Sequence, residues 1–137
     1  MAGSMEGKAG LVTGAASGIG RACAIRFGQE GAAVVVADLE RSREGGEETV
    51  RAIEDAGGRA EFFACDVAEA ADNDALVARV VESYGNLDFA HNNAGIGVHT
   101  PLHERVVVGG LGHVAGEELG PPARLLDRAH GLLAAIA

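Results

Sequence analysis

The chain has 137 residues, the size of one domain with room for a buried core. Apolar residues make up 47% of it, which excludes a disordered chain, and no apolar run reaches the length of a membrane span. A formal net charge of −9 argues against a nucleic-acid partner, which draws on basic surface, and reads as a solubility feature.

Up to about Pro101, short apolar strands alternate with amphipathic helices. Residues 8–13 read as a first strand, and residues 18–29 as a helix that follows a Gly/Ala/Ser turn and stops near Gly31. Residues 33–38, with Val34-Val35-Val36 at their centre, form the continuous apolar run of a parallel strand covered on both faces. Residues 42–56 are charged on one side, carry Val50 and Ile53 on the other, and stop at Gly57-Gly58. A third strand is expected over 60–66. A helix over 70–84 repeats Leu76, Val77, Val80 and Val81 and stops at Gly85, and a fourth strand covers 87–91. This order predicts an α/β fold, the first four strands of a Rossmann-type doubly wound parallel sheet in the order 3-2-1-4, with right-handed crossovers.

The later residues read differently. Residues 104–113 show no clean period, Pro121-Pro122 punctuates the chain, and residues 123–136 read as a short helix weakened by Gly131. The expected division is a nucleotide-binding half-domain over 1–103 and a divergent tail over 104–137.

The strongest local signal is Thr13-Gly14-Ala15-Ala16-Ser17-Gly18-Ile19-Gly20, placed between a strand and a helix. Gly14 allows a sharp turn off the strand, Gly18 an approach of backbone to a pyrophosphate, and Gly20 close packing of helix on sheet. The helix start then offers free N–H groups and a positive dipole end to phosphates. Ser17 reads as a loop-stabilising or phosphate-contacting hydroxyl. The plain alternative is a glycine-rich turn that binds nothing. Asp38 ends the second strand about twenty residues past the turn, the offset of an acid that binds the adenosine ribose hydroxyls. A carboxylate there repels a 2′-phosphate and points to NAD over NADP, while Arg41 and Arg43 keep NADP open. The plain alternative for Asp38 is a helix-capping acid.

Together these residues resemble the short-chain dehydrogenase/reductase family in its N-terminal portion. The family's glycine motif, Thr-Gly-x-x-x-Gly-Ile-Gly, stands at Thr13 and the seven residues after it; its Asp-Val pair after the third strand stands as Asp66-Val67; its Asn-Asn-Ala-Gly stands as Asn92-Asn93-Ala94-Gly95. The resemblance covers residues from about 6 to 103. It implies that Ile19 contacts the pyrophosphate through its N–H and that Leu39 accompanies Asp38 beside the adenosine. It further implies that Asp66 and Val67 hold the adenine and that Asn92, Ala94 and Gly95 line the floor under ribose and nicotinamide. Plain alternatives are a strand end for Asp66-Val67 and a self-satisfied turn for Asn92-Asn93.

The family's hydride transfer needs a Ser and a Tyr-x-x-x-Lys pair, usually with an Asn. A free phenol has a pKa of roughly 10, and the Lys ammonium lowers it. This chain has one tyrosine, Tyr84, followed four residues on by Asp88, and one lysine, Lys8. The pair cannot be assembled, so an oxidoreductase by family that is inactive as this chain is expected, with no catalytic residue assigned. Past residue 104, valine codons read one base later can spell serine, and Glu118-Leu119 can spell Asn-Leu at the family's spacing. An out-of-frame translation is therefore the expected origin of the tail, with a genuine divergent tail as the alternative.

No secretory signal is expected from Met1 to Glu6, and a cytoplasmic location follows as an expectation. Cys23 and Cys65 read as reduced core thiols. His99 and His103 are spaced as two ligands on a helix, but Pro101 lies between them, so no metal is expected. No membrane partner is expected, and a bare fourth strand invites self-association. The rival functional readings are a non-catalytic dinucleotide-binding or interaction module and an S-adenosylmethionine-dependent methyltransferase. The spacing of Gly14 and Gly18 and the Asn-Asn-Ala-Gly argue against the methyltransferase.

Overall fold

The computed structural model describes residues 3–95, 105–107 and 113–115. The strands are β1 (Ala9–Thr13), β2 (Ala33–Asp38), β3 (Arg59–Ala64) and β4 (Phe89–His91), all parallel and ordered β3-β2-β1-β4. The helices between them are α1 (Gly18–Gln29), α2 (Arg43–Asp55) and α3 (Ala70–Tyr84), and a single 3-10 turn at Glu40–Ser42 leads into α2. This is the doubly wound arrangement expected from the alternating pattern.

Alternation along the strands builds two cores. Ala33, Val35 and Ala37 of β2 face α3 and pack with Leu11, Leu76 and Val80. Val34 and Val36 face the other way and pack with Val12, Ala24 and Ile53. Successive strand side chains point to opposite faces, so an unbroken valine run is what a sheet covered on both sides requires. Each fully buried valine stabilises the fold by about 1.5–3 kcal/mol relative to an exposed one.

Helix α2 carries Gly45-Gly46, a pair that helix propensity disfavours by about 1 kcal/mol per residue. Close packing explains both. A Cβ on Gly45 would lie 2.7 Å from the Ala16 carbonyl oxygen, and one on Gly46 would overlap the Phe62 ring. Helix α3 stops where Gly85 takes a left-handed backbone, φ 91°, and donates its N–H to Val81 O at 2.8 Å.

The fourth strand is shorter than expected because the Asp88 carboxylate, at 2.8 Å, takes the Ala9 N–H that a ladder partner would use. Residues 65 and 66, expected as the end of the third strand, instead begin the turn into α3, with Ala68 N–H donating to Asp66 Oδ1 at 3.0 Å. Within the tail, where no period was found, Arg105–Val107 (β5) pairs antiparallel with His113–Ala115 (β6). β-branched Val106, Val107 and Val114 favour strands, and the short valine run was a strand signal that periodicity alone missed. The helix expected over 123–136 and the pair His99 and His103 lie outside the described residues.

Candidate functional site

The C-terminal ends of all four parallel strands open into one crevice of about 650 Å³, a volume typical of small-molecule sites. Its wall holds Gly14, Ser17 and Ile19 from the turn, Asp38 and Leu39 after β2, Asp66 and Val67 after β3, and Ala94 and Gly95 after β4. Gly18 and Asn92 are exposed and Gly20 is buried, and none of the three is on the wall.

Gly14 leaves β1 at φ 66°, a backbone that side chains avoid. A Cβ there would also meet Ala94 Cα at 2.9 Å and Asn93 Nδ2 at 3.0 Å. On Gly20 a Cβ would overlap the Gly14 carbonyl and the Asn93 amide, which sets α1 hard against the turn. Thr13, buried at the end of β1, ties the β4 exit to this turn. Its Oγ1 accepts the N–H of Asn93 at 3.1 Å and of Ala94 at 3.0 Å. Asn93 Nδ2 returns the favour by donating to Thr13 O at 3.2 Å.

The carboxylate of Asp38 accepts the Ala16 N–H at 2.9 Å on Oδ2 and the Leu39 N–H at 2.8 Å on Oδ1. It faces the crevice rather than capping α2, whose N-cap is Ser42. Ala15 donates its N–H to Ala37 O at 3.2 Å. The amides of Gly18, Ile19 and Gly20 open the first turn of α1, where no acceptor exists inside the helix. No acidic residue stands in that turn and the N-cap Ser17 makes no side-chain cap, so the positive end of the helix dipole faces the crevice uncompensated.

Asn93, Arg41, Ser42, Cys65 and Ala68 also line the wall and were not assigned to the site from the sequence. Asn93 sat inside a motif that flagged its neighbours, and Arg41 was noted as the charge that keeps NADP open; Ser42, Cys65 and Ala68 carry no local signal beyond nearness to Asp38 and Asp66. Cys65 is buried, and burial together with the nearby Asp72 and Asp66 carboxylates pushes its thiol up to about 11.

The chain's one tyrosine and one lysine stand at the opposite end of the sheet. Tyr84 ends α3, just before the loop that enters β4, and packs against the core with the Arg59 guanidinium 5.6 Å from its ring centre. Burial and the Glu61 carboxylate push its phenol up to about 12, the reverse of what a neutral-pH base needs. Lys8 precedes β1 and lies 3.9 Å from Asp88.

The short chain dehydrogenase family model matches residues 8–106. The chain belongs to this family. A 3beta-hydroxysteroid dehydrogenase of Mediterraneibacter gnavus is 52% identical over 94 residues, covering 69% of this chain and 33% of that protein. A 2,5-dichloro-2,5-cyclohexadiene-1,4-diol dehydrogenase of Sphingobium indicum is 45% identical over 96 residues, 70% of this chain and 38% of the relative. Among solved structures, a hydroxysteroid dehydrogenase from Escherichia coli superposes with a TM-score of 0.65 at 33% identity, covering 73% of this chain and 43% of that one. The chain thus spans little more than a third of the length of the curated relatives it matches. Membership of the short chain dehydrogenase family implies a nicotinamide dinucleotide, NAD or NADP, as cofactor. Among the described residues, no helix is long and apolar enough to cross a membrane and no cluster has the makings of a metal site.

Proposed function

We propose that this chain binds NAD and does not by itself transfer hydride. The observation that carries the reading is the crevice in which the amides at the start of α1, the Asp38 carboxylate and the Asp66-Val67 turn after β3 converge. Gly14 and Gly20 admit no Cβ, which packs α1 and the β4 exit close on the turn, while Gly18 at φ 57° has open space beside it for a diphosphate. Ser17, Gly18, Ile19 and Gly20 would hold it. Asp38 and Leu39 would take the adenosine ribose, Asp66 and Val67 the adenine, and Asn92, Ala94 and Gly95 the nicotinamide side. The nicotinamide ring, when bound, supplies the hydride acceptor of the family's chemistry.

Each Asp38 carboxylate oxygen accepts one backbone N–H and keeps a lone pair for a ribose hydroxyl. Its charge disfavours a 2′-phosphate. Arg41 on the same wall is the opposing influence, but it is exposed and its attraction is screened by water. Inactivity is supported by Tyr84 and Lys8, which stand at the wrong end of the sheet for this crevice and apart from any Tyr-x-x-x-Lys spacing. The substrate classes of the relatives differ, a steroid and a chlorinated diol, and neither is carried over. Residues 104–137 are taken as a tail read out of frame, which resequencing of the gene tests: an intact, expressed frame as given would remove this part of the proposal.

The functional test is a thermal-shift comparison. NAD is expected to raise the melting temperature of the chain, and S-adenosylmethionine to leave it unchanged. A shift with S-adenosylmethionine alone would overturn the reading. A second reading, an interaction module, rests on β4, which among the described residues pairs with β1 alone and forms an edge of the sheet. Such an edge offers unpaired backbone groups to another strand, so we expect concentration-dependent self-association on size exclusion.

A further inference from the structure

Thr49 is fully buried and polar, in the middle of α2, with no place in the motifs that mark the crevice. Its hydroxyl has two carbonyls in reach of its one proton, Ala15 O of the glycine turn at 2.9 Å and Gly45 O of its own helix at 3.0 Å, and so bridges the turn to α2. Arg21, one residue past the glycine motif, meets it from α1: Nε donates to Thr49 Oγ1 at 3.1 Å, and Nη2 donates to Ala16 O at 2.7 Å and to Gly45 O at 3.0 Å. The two side chains therefore hold two successive carbonyls of the glycine turn against α2. Gly45 is the only residue type that lets α2 come this close, because any Cβ there would press on Ala16 O.

The Ala16 carbonyl is the acceptor that Gly20 N–H would use if α1 began one residue earlier. With the guanidinium on that oxygen, the first helical bond is instead Arg21 N–H to Ser17 O at 3.2 Å. The Ala16 peptide is pinned at both ends, its N–H on Asp38 and its C=O on Arg21. We infer that Arg21 and Thr49 are positioning residues for the diphosphate: by drawing the Ala15 and Ala16 carbonyls toward α2, they keep the first amides of α1 free for the phosphate oxygens. Neither side chain is on the crevice wall, so they act through the turn and not by contact. The inference rests on the dinucleotide reading above.

The test uses the full chain with Thr49→Val, which keeps shape and removes the hydroxyl, Thr49→Ser, which keeps the hydroxyl, and Arg21→Met. Two readouts are needed. Without ligand, hydrogen exchange at the Gly20 amide is expected to slow in Arg21→Met, as that N–H takes the released Ala16 carbonyl. With ligand, NAD affinity is expected to fall roughly 10-fold in Thr49→Val and in Arg21→Met, and to return to within about 2-fold of the native value in Thr49→Ser. Circular dichroism that matches the native chain keeps the comparison among folded proteins. NAD binding by the native chain with unchanged affinity in Thr49→Val and Arg21→Met overturns this inference alone. Unchanged Gly20 exchange in Arg21→Met overturns it as well. No NAD binding by the native chain, with the exchange difference intact, overturns the dinucleotide reading and this assignment with it.

Discussion

Asp38 and Ala16, 22 residues apart in sequence, are joined across the mouth of the crevice, the Asp38 carboxylate accepting the Ala16 N–H at 2.9 Å. The acid proposed to select the sugar is thus also a strut of the turn proposed to hold the phosphates. Ligand recognition and local stability are coupled at this residue.

That coupling sets the first expectation. Asp38→Ala should lower NAD affinity at least 10-fold and also destabilise the fold by about 1–3 kcal/mol, because the part-buried Ala16 N–H loses its acceptor. Asp38→Asn keeps an acceptor oxygen and removes the charge. With one acceptor oxygen for two N–H groups, its NH2 faces one of the two donors, so it should retain only part of the stability while it shifts the NAD-to-NADP affinity ratio toward NADP. Urea melts and paired titrations separate the two effects.

Thr13 gives a purely structural counterpart. Its hydroxyl accepts two N–H groups that belong to the exit of β4. Thr13→Val should cost about 1–3 kcal/mol, since both amides are left without that acceptor in a part-buried setting. The loss should appear in urea melts, with amide exchange at Asn93 and Ala94 accelerated more than in the centre of β2.

At Gly14 conformation and space act together. Gly14→Ala must place a Cβ at φ 66° and within 2.9 Å of Ala94 Cα. A destabilisation of about 1–3 kcal/mol is expected from backbone strain of this kind. Its measure is the thermal midpoint, and Gly57→Ala serves as the reference, being left-handed but with nothing within 4 Å of the added atom.

The raised Tyr84 phenol and Cys65 thiol make a pH prediction. The folded Tyr84 phenol is held at about 12, mainly by burial and then by Glu61, above its ordinary value of 10.0. A raised pKa in the folded state contributes stability that is whole below the unfolded pKa and is lost as pH rises through the folded one. Stability should therefore fall between about pH 10 and pH 12, and Tyr84→Phe should flatten that fall. Absorbance titration of tyrosinate reads the midpoint directly. By the same cause Cys65, pushed up to about 11 and buried, should alkylate at pH 8 far more slowly than the half-buried Cys23.

Much of this architecture was legible in the sequence. The bounds of β2, α1 and α3 agree with the expected ones because Val34-Val35-Val36 needs cover on both faces, the turn glycines mark the start of α1, and Gly85 stops α3 with a left-handed backbone. The strand ends at Asp66 and Leu87 were misplaced because carboxylates take backbone N–H groups there, Asp72 that of Asp66 and Asp88 that of Ala9. The crevice residues named by motif lie in the segments that follow the C-terminal ends of the strands and at the start of α1, where the topology brings them together. What escaped sequence reading was the bracing. Thr49 reaches Ala15 across 34 residues, whereas the tie of Asn93 to Thr13 across 80 is the strand-tying role that the family resemblance implies for the Asn-Asn pair. Contacts at such separations leave no periodic or local trace, and Gly45-Gly46, a poor pair for a helix, makes sense only once Ala16 and Phe62 are beside it.

The most direct measurement is a calorimetric titration of the native chain with NAD and, separately, with NADP. We expect saturable heat with NAD at one site per chain and affinity for NADP at least 10-fold weaker. Absence of heat with NAD, or tighter binding of NADP, would contradict the account.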